Sequence, residues 1–138
     1  MHTSALAALV ALEVLLAGAP APRDWPAACV WEEQTPFAPA LDALWSRAKA
    51  VAGASEASRS RPRFCFAQEP RWSGTRRILS GFDAPNDAAA LMLTPEELAA
   101  FGPCVAVHEM LHALLGPARE EIIKGMWRCA EAEAAGGG

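Results

Sequence analysis

Pro103-Cys104-Val105-Ala106-Val107-His108-Glu109-Met110-Leu111-His112-Ala113-Leu114-Leu115-Gly116 is the run on which the reading of this chain turns. Proline suits a first helical position, and Gly116-Pro117 closes the run with a C′ glycine and a helix breaker. Residues four apart on a helix stack on one face about 6 Å from each other, so His108 and His112 can reach one metal ion. Glu109 is rotated by about 100° from His108, which sets a carboxylate beside such an ion instead of on it. Two neutral imidazoles suit Zn²⁺, and an open coordination position leaves room for a water whose pKa falls toward about 7. The adjacent carboxylate can take its proton. Val105, Val107, Met110, Leu111, Leu114 and Leu115 make the remaining sides apolar. The helix is therefore expected to be buried, and buried ionisable groups need partners.

Val107-His108-Glu109-Met110-Leu111-His112-Ala113-Leu114-Leu115-Gly116 resembles the active-site helix of zincin metallopeptidases, in wording close to bacterial matrixin-like enzymes. The resemblance covers about ten residues. It implies a small zincin-like α+β domain, an edge strand along the substrate cleft, Zn²⁺ as cofactor and a peptide or protein substrate. It also implies Glu109 as the general base, with His108 and His112 as metal ligands. In the metzincin branch a glycine follows the second histidine by three residues and a third histidine follows by six. Here those positions hold Leu115 and Ala118, so the resemblance reaches only the wider zincin class.

The chain has three histidines, and one of them, His2, lies in the N-terminal leader, so an all-histidine zinc site is excluded by counting. Cys104 lies eight residues, about 12 Å along a helix axis, from His112, too far to share an ion with both imidazoles. A carboxylate remains. The resemblance to zincins with a glutamate ligand makes Glu120, Glu121, Glu131 and Glu133 the candidates. In a tight helical hairpin hinged at Gly116-Pro117, Glu121 comes level with His112 and Glu120 lies beside it, whereas Glu133 falls about 20 Å too far along. Glu121 is the expected third ligand, with Glu120 next.

The 138 residues, with a formal charge of −4 and 52% apolar content, suit one domain with a single modest core. Mild acidity argues against nucleic acid as a partner. Ser4 to Ala17 is apolar apart from Glu13 and runs into small-x-small sites at Ala17-Gly18-Ala19 and Ala19-Pro20-Ala21. Residues 1–21 are read as a secretory signal peptide and 22–138 as one zincin-like domain. That gives a secreted or periplasmic monomer with no stable membrane span once the leader is removed. Cys29, Cys65, Cys104 and Cys129 fit two disulfides in an exported protein. Cys104 and Cys129 are equally distant from the Gly116-Pro117 hinge, which favours their pairing.

Helical spacing of Leu41, Leu44, Trp45, Ala48, Val51 and Ala52 predicts a helix over residues 37–53. Before it, 27–33 reads as a weak strand, and 54–61 as a loop. Alternation predicts strands at 63–68 and 75–82, joined as a hairpin through Arg71-Trp72-Ser73-Gly74, and a short strand at 89–93. Six arginines between Arg59 and Arg77 are read as the solvated face of that hairpin. Thr94-Pro95-Glu96-Glu97 is a capping box opening a short helix to Phe101, before Pro103 starts the histidine helix. Arg119 to Ala134 is expected as one final helix. If that helix is regular, Glu120 and Glu121 point about 180° from Cys129, so a 104–129 bridge and a glutamate ligand cannot both face the histidine helix. Either 117–122 is a loop or one expectation fails.

Three functions follow. The first is a zinc peptidase, with Arg119 as the nearest candidate to stabilise the oxyanion, because the chain has no tyrosine. The second is an exported zincin-like binding module with structural zinc and no catalysis. The third is a disulfide-stabilised exported domain whose motif is coincidental.

Overall fold

The computed structural model describes residues 25–116 and 119–136, and the expected signal peptide lies outside them. The fold is α+β. In chain order come β1 (Val30–Trp31), a 3-10 turn (Glu32–Gln34), α1 (Ala38–Val51), β2 (Arg63–Phe66), β3 (Arg71–Ser73), β4 (Arg76–Ile78), β5 (Ser80–Asp83) and β6 (Ala88–Leu91). Three helices follow: α2 (Pro95–Leu115), α3 (Glu120–Met126) and α4 (Ala130–Ala135). A four-stranded mixed sheet has the order β1-β2-β6-β5, and β3-β4 form a separate two-stranded sheet. α1 and α2 pack together, and α2 also packs against β5 and β6.

The strand alternation has the expected outcome in β2. Phe64 and Phe66 turn to the core, and Cys65 takes the other face, bridged to Cys29 with Cα atoms 5.6 Å apart. The expected hairpin is redistributed. β3 and β4 pair only with each other, around Gly74 at φ +63°. Buried Leu79 separates β4 from β5, and β5 joins the main sheet antiparallel to β6. β6 runs parallel to β2 and so sits between the two segments expected to pair. Its sequence Ala88-Ala89-Ala90-Leu91 is buried throughout, so a short run of small residues occupies the sheet centre.

The two helices expected at 94–101 and 103–116 are one helix of 21 residues with Pro103 inside it. Proline removes a backbone donor and crowds the carbonyl four residues earlier, that of Ala99. Ala99 and Pro103 are both exposed, so the disturbed turn faces water and the helix continues. Its start is strongly fixed. Thr94 Oγ1 accepts from the Glu97 amide at 3.2 Å, and Glu97 Oε1 accepts from the Thr94 amide at 2.9 Å. The Arg77 guanidinium pairs with the same carboxylate. Thr94→Ala is therefore expected to cost about 1 kcal/mol, read by urea unfolding. Hydrogen bonding from Arg77 holds the Glu97 carboxyl below its usual 4.5, against the opposing effect of burial. Stability from that pairing is complete above about pH 4.5 and is lost as pH falls through the lowered folded value. The destabilisation caused by Glu97→Gln should accordingly be full at pH 7 and shrink on acidification below about 4.5. A gap that stays constant with pH would contradict the pairing.

Of the six arginines between 59 and 77, Arg59, Arg63 and Arg76 are exposed, as a solvated face requires, whereas Arg61 and Arg71 are half-buried and Arg77 is buried. Arg59 pairs with Asp87, Arg61 with Glu32 and Asp42, Arg63 with Glu33, and Arg77 with Glu97. Glu32 also accepts the Phe64 amide at 2.8 Å, which ties the 3-10 turn to β2.

The expected final helix is broken at residues 127–129 into α3 and α4. That break removes the phase conflict, since Glu120 and Cys129 no longer belong to one regular helix. Cys104 and Cys129 are bridged, with Cα atoms 5.9 Å apart across 25 residues. The two cysteine pairs fit an extracellular or otherwise oxidising compartment. Closing a loop of that length should stabilise by roughly 3 kcal/mol. Cys104→Ser/Cys129→Ser is expected to lose about that much in denaturant unfolding, and a loss under about 1 kcal/mol would show that the bridge restrains little.

Candidate metal centre

α2 carries His108, Glu109 and His112 in its most buried stretch, with side chains packed on all sides from Val105 to Ala113. The imidazoles are one turn apart, as the spacing dictates, with ring centroids 5.1 Å from each other and planes at 71°. Ligand-type atoms of His108, Glu109 and His112 all lie within 4.8 Å of one another, so this buried group could hold a metal ion. The Phe82 ring from β5 stacks on His112 at 6.3 Å and 14°. It fixes the ring from the sheet side.

The facing carboxylate is that of Glu120. Its Oε1 lies 2.9 Å from His108 Nε2 and its Oε2 lies 2.6 Å from His112 Nε2. Glu121, the residue expected there, is exposed and outside the cleft, and Glu131 is exposed on α4. Glu133 is occupied by Arg128 at 2.8 Å. The reason is helical phase. Glu120, Ile123 and Trp127 fall on one stripe, Ile123 is fully buried, and Trp127 Nε1 donates to the Cys104 carbonyl at 3.0 Å. That anchoring turns Glu120 inward and leaves Glu121 about 100° away.

The donor set fits a divalent cation. Two imidazole nitrogens and a carboxylate converge at one place, which is a ligand combination suited to zinc. Burial lowers the His108 pKa below 6.5, outweighing the attraction of the Glu120 carboxylate, and neighbouring His112 and Lys124 lower it further. His108 is thus held neutral, the form that binds metals. Among the described residues, buried Glu120 Oε1 and His112 Nδ1 have no aligned hydrogen-bond partner. Each Glu120 oxygen faces one imidazole Nε2, so a cation taking the place of the shared protons would meet all three groups.

Glu109 lies beside that convergence, within 4.8 Å of the imidazole ligand atoms. Ser80 Oγ, from β5, donates to Glu109 Oε1 at 2.8 Å. Both line a cleft of about 280 Å³ together with Arg76, Gly81, Phe82, His108, His112, Glu120 and Lys124. Arg119, expected on the inner face, is exposed at the start of α3 and does not line this cleft. Ser80, Phe82, Arg76 and Lys124 line the site without being singled out by the sequence. Lys124 had a usable signal, because it follows Glu120 by one helical turn. Ser80 and Phe82 had none, because only the pairing of β5 with β6 brings them to α2. No protein-family profile, no curated protein and no solved structure matches this chain.

Proposed function

We propose that this chain is an exported, zinc-dependent hydrolase of peptide bonds, in which His108, His112 and Glu120 would hold the ion and Glu109 is the general base. The observation that carries the reading is the meeting of two imidazole Nε2 atoms and one carboxylate in the cleft wall, beside a second carboxylate held by Ser80. When bound, the zinc ion supplies Lewis acidity, polarising a carbonyl and lowering the pKa of water. Everything else falls to the chain. Glu109, buried and oriented by Ser80, takes the proton from the attacking water and returns it to the leaving amine. Phe82 and the apolar sides of α2 hold the histidine rings in place. β5 is an edge strand of the main sheet and lines the cleft, so an extended substrate would lie along it.

The rival is a binding module with a closed structural zinc site. It requires a fourth protein ligand; among the described residues lining the cleft Glu109 is the other carboxylate, and its Oε1 accepts from Ser80 Oγ. That engagement favours the hydrolytic reading. The test is metal content of the purified protein together with cleavage of a peptide library. One zinc per chain with cleavage supports the proposal, zinc without cleavage selects the binding module, and no zinc at neutral pH ends both.

A further inference from the structure

The cleft carries two cations that the proposed hydrolysis does not use. Arg76, at the start of β4, and Lys124, one turn beyond Glu120 on α3, both line it and both are exposed. Five arginines are paired with acids: Arg59 with Asp87, Arg61 with Glu32 and Asp42, Arg63 with Glu33, Arg77 with Glu97 and Arg128 with Glu133. Among the described residues Arg76 and Lys124 form no salt bridge. Arg47, Lys49 and Arg119 also form no salt bridge among the described residues, but none of them lines this cleft, so what sets Arg76 and Lys124 apart is that both face it. Within the cleft they balance the carboxylates of Glu109 and Glu120. A divalent ion added to that balanced set leaves the cleft positive by its own charge, and a concave, partly buried site focuses such a field.

We propose that the site selects peptides bearing a carboxylate next to the bond that is cut, and that Arg76 and Lys124 receive it. This rests on the hydrolytic reading for the word "cut", but the recognition itself needs only the cleft. Arg76 offers a planar fork that matches a carboxylate with two parallel hydrogen bonds, and Lys124 offers a mobile point charge. They come from different elements, one from the β3-β4 hairpin and one from α3, so a ligand between them is held from two sides. A carboxylate can come from an aspartate or glutamate side chain or from a free C-terminus, and both present the same chemistry.

The experiment uses the zinc-loaded full chain and two matched peptide pairs. One pair, amidated at the C-terminus, differs only by Glu against Gln beside the scissile bond. The other differs only by a free acid against an amide at its C-terminus. The kcat/KM ratio within each pair is measured, and binding of the same peptides to Glu109→Gln protein is followed by calorimetry. A Glu-to-Gln ratio of about three- to tenfold is expected at low salt, falling toward one in Arg76→Ala/Lys124→Ala and shrinking as ionic strength rises. A preference in the first pair assigns the side-chain carboxylate, and in the second the terminal one. Equal handling within both pairs overturns the proposal, as does a preference that survives the double substitution. If neither peptide is cleaved but the acidic member binds several-fold more tightly, the hydrolytic reading fails and the recognition stands.

Discussion

Glu109→Gln is expected to lower kcat/KM for peptide cleavage by about 10²- to 10⁴-fold while leaving zinc content at one per chain. The size is what positioned proton transfer contributes in hydrolytic enzymes. The substitution is unusually clean at this position. Glutamine has the same shape, and its carbonyl oxygen can still accept from Ser80 Oγ, which now donates to Glu109 Oε1 at 2.8 Å. Glu109 is 4% exposed, so a bulkier or shorter residue would disturb the helix, whereas the amide fills the same space. What the amide cannot do is accept a proton. Parallel measurement of metal content separates two roles, because Glu109 lies within the 4.8 Å group that could hold an ion. Activity lost with zinc retained assigns it to proton transfer. Activity and zinc lost together would make it a ligand, and unchanged activity would end the enzymatic proposal. Ser80→Ala provides a graded companion: loss of the orienting hydroxyl is expected to lower kcat about tenfold, with KM nearly unchanged and activity restored in Ser80→Thr.

What could be read from the chain was local. The spacing of His108 and His112 and the apolar residues between them placed a buried helix with both rings on one side, and the structure has that arrangement. Thr94-Pro95-Glu96-Glu97 announced its own capping box. Hinge symmetry pointed to the bridge between Cys104 and Cys129. The failures were of pairing and continuity, which depend on distant partners. Alternation at 63–68 and 75–82 identified strands but said nothing of β6 entering between them, because a run of alanines has little strand propensity and no alternation. Proline usually marks a helix start, and only the exposure of that turn lets the helix continue through Pro103. In the final segment Ile122 and Ile123 are adjacent and equally apolar, so the sequence does not say which of them faces the core. Packing buries Ile123 completely and leaves Ile122 41% exposed, a rotation of one residue that exchanges Glu121 for Glu120 at the site.

That rotation sets up a comparison with opposite expectations for neighbouring residues. Glu120→Gln is expected to weaken zinc binding by about 100-fold or more, beyond the roughly 10- to 100-fold typical of losing an outer-shell partner, because the carboxylate itself meets both imidazoles. Glu121→Gln should change zinc affinity less than about threefold, since that side chain is exposed and on another face of α3. Both variants lose the same charge within one helical residue of each other, so a general electrostatic effect on the cleft would move them together. Competition with a chromophoric chelator at pH 7 reads the two affinities on one scale. Burial favours the neutral form of His108, which lessens competition from protons at its ring. A larger loss in Glu121→Gln than in Glu120→Gln would mean that α3 rotates by about 100° when the ion enters. That rotation would drag fully buried Ile123 out of the core and break the hydrogen bond from Trp127 to the Cys104 carbonyl. Exposing an isoleucine costs about 1.5–3 kcal/mol. The Cys104–Cys129 bridge opposes the same motion, because it ties the residues that follow Trp127 to the first half of α2. The order of the two affinities therefore reports directly on whether core packing, and not proximity in sequence, chooses the third ligand.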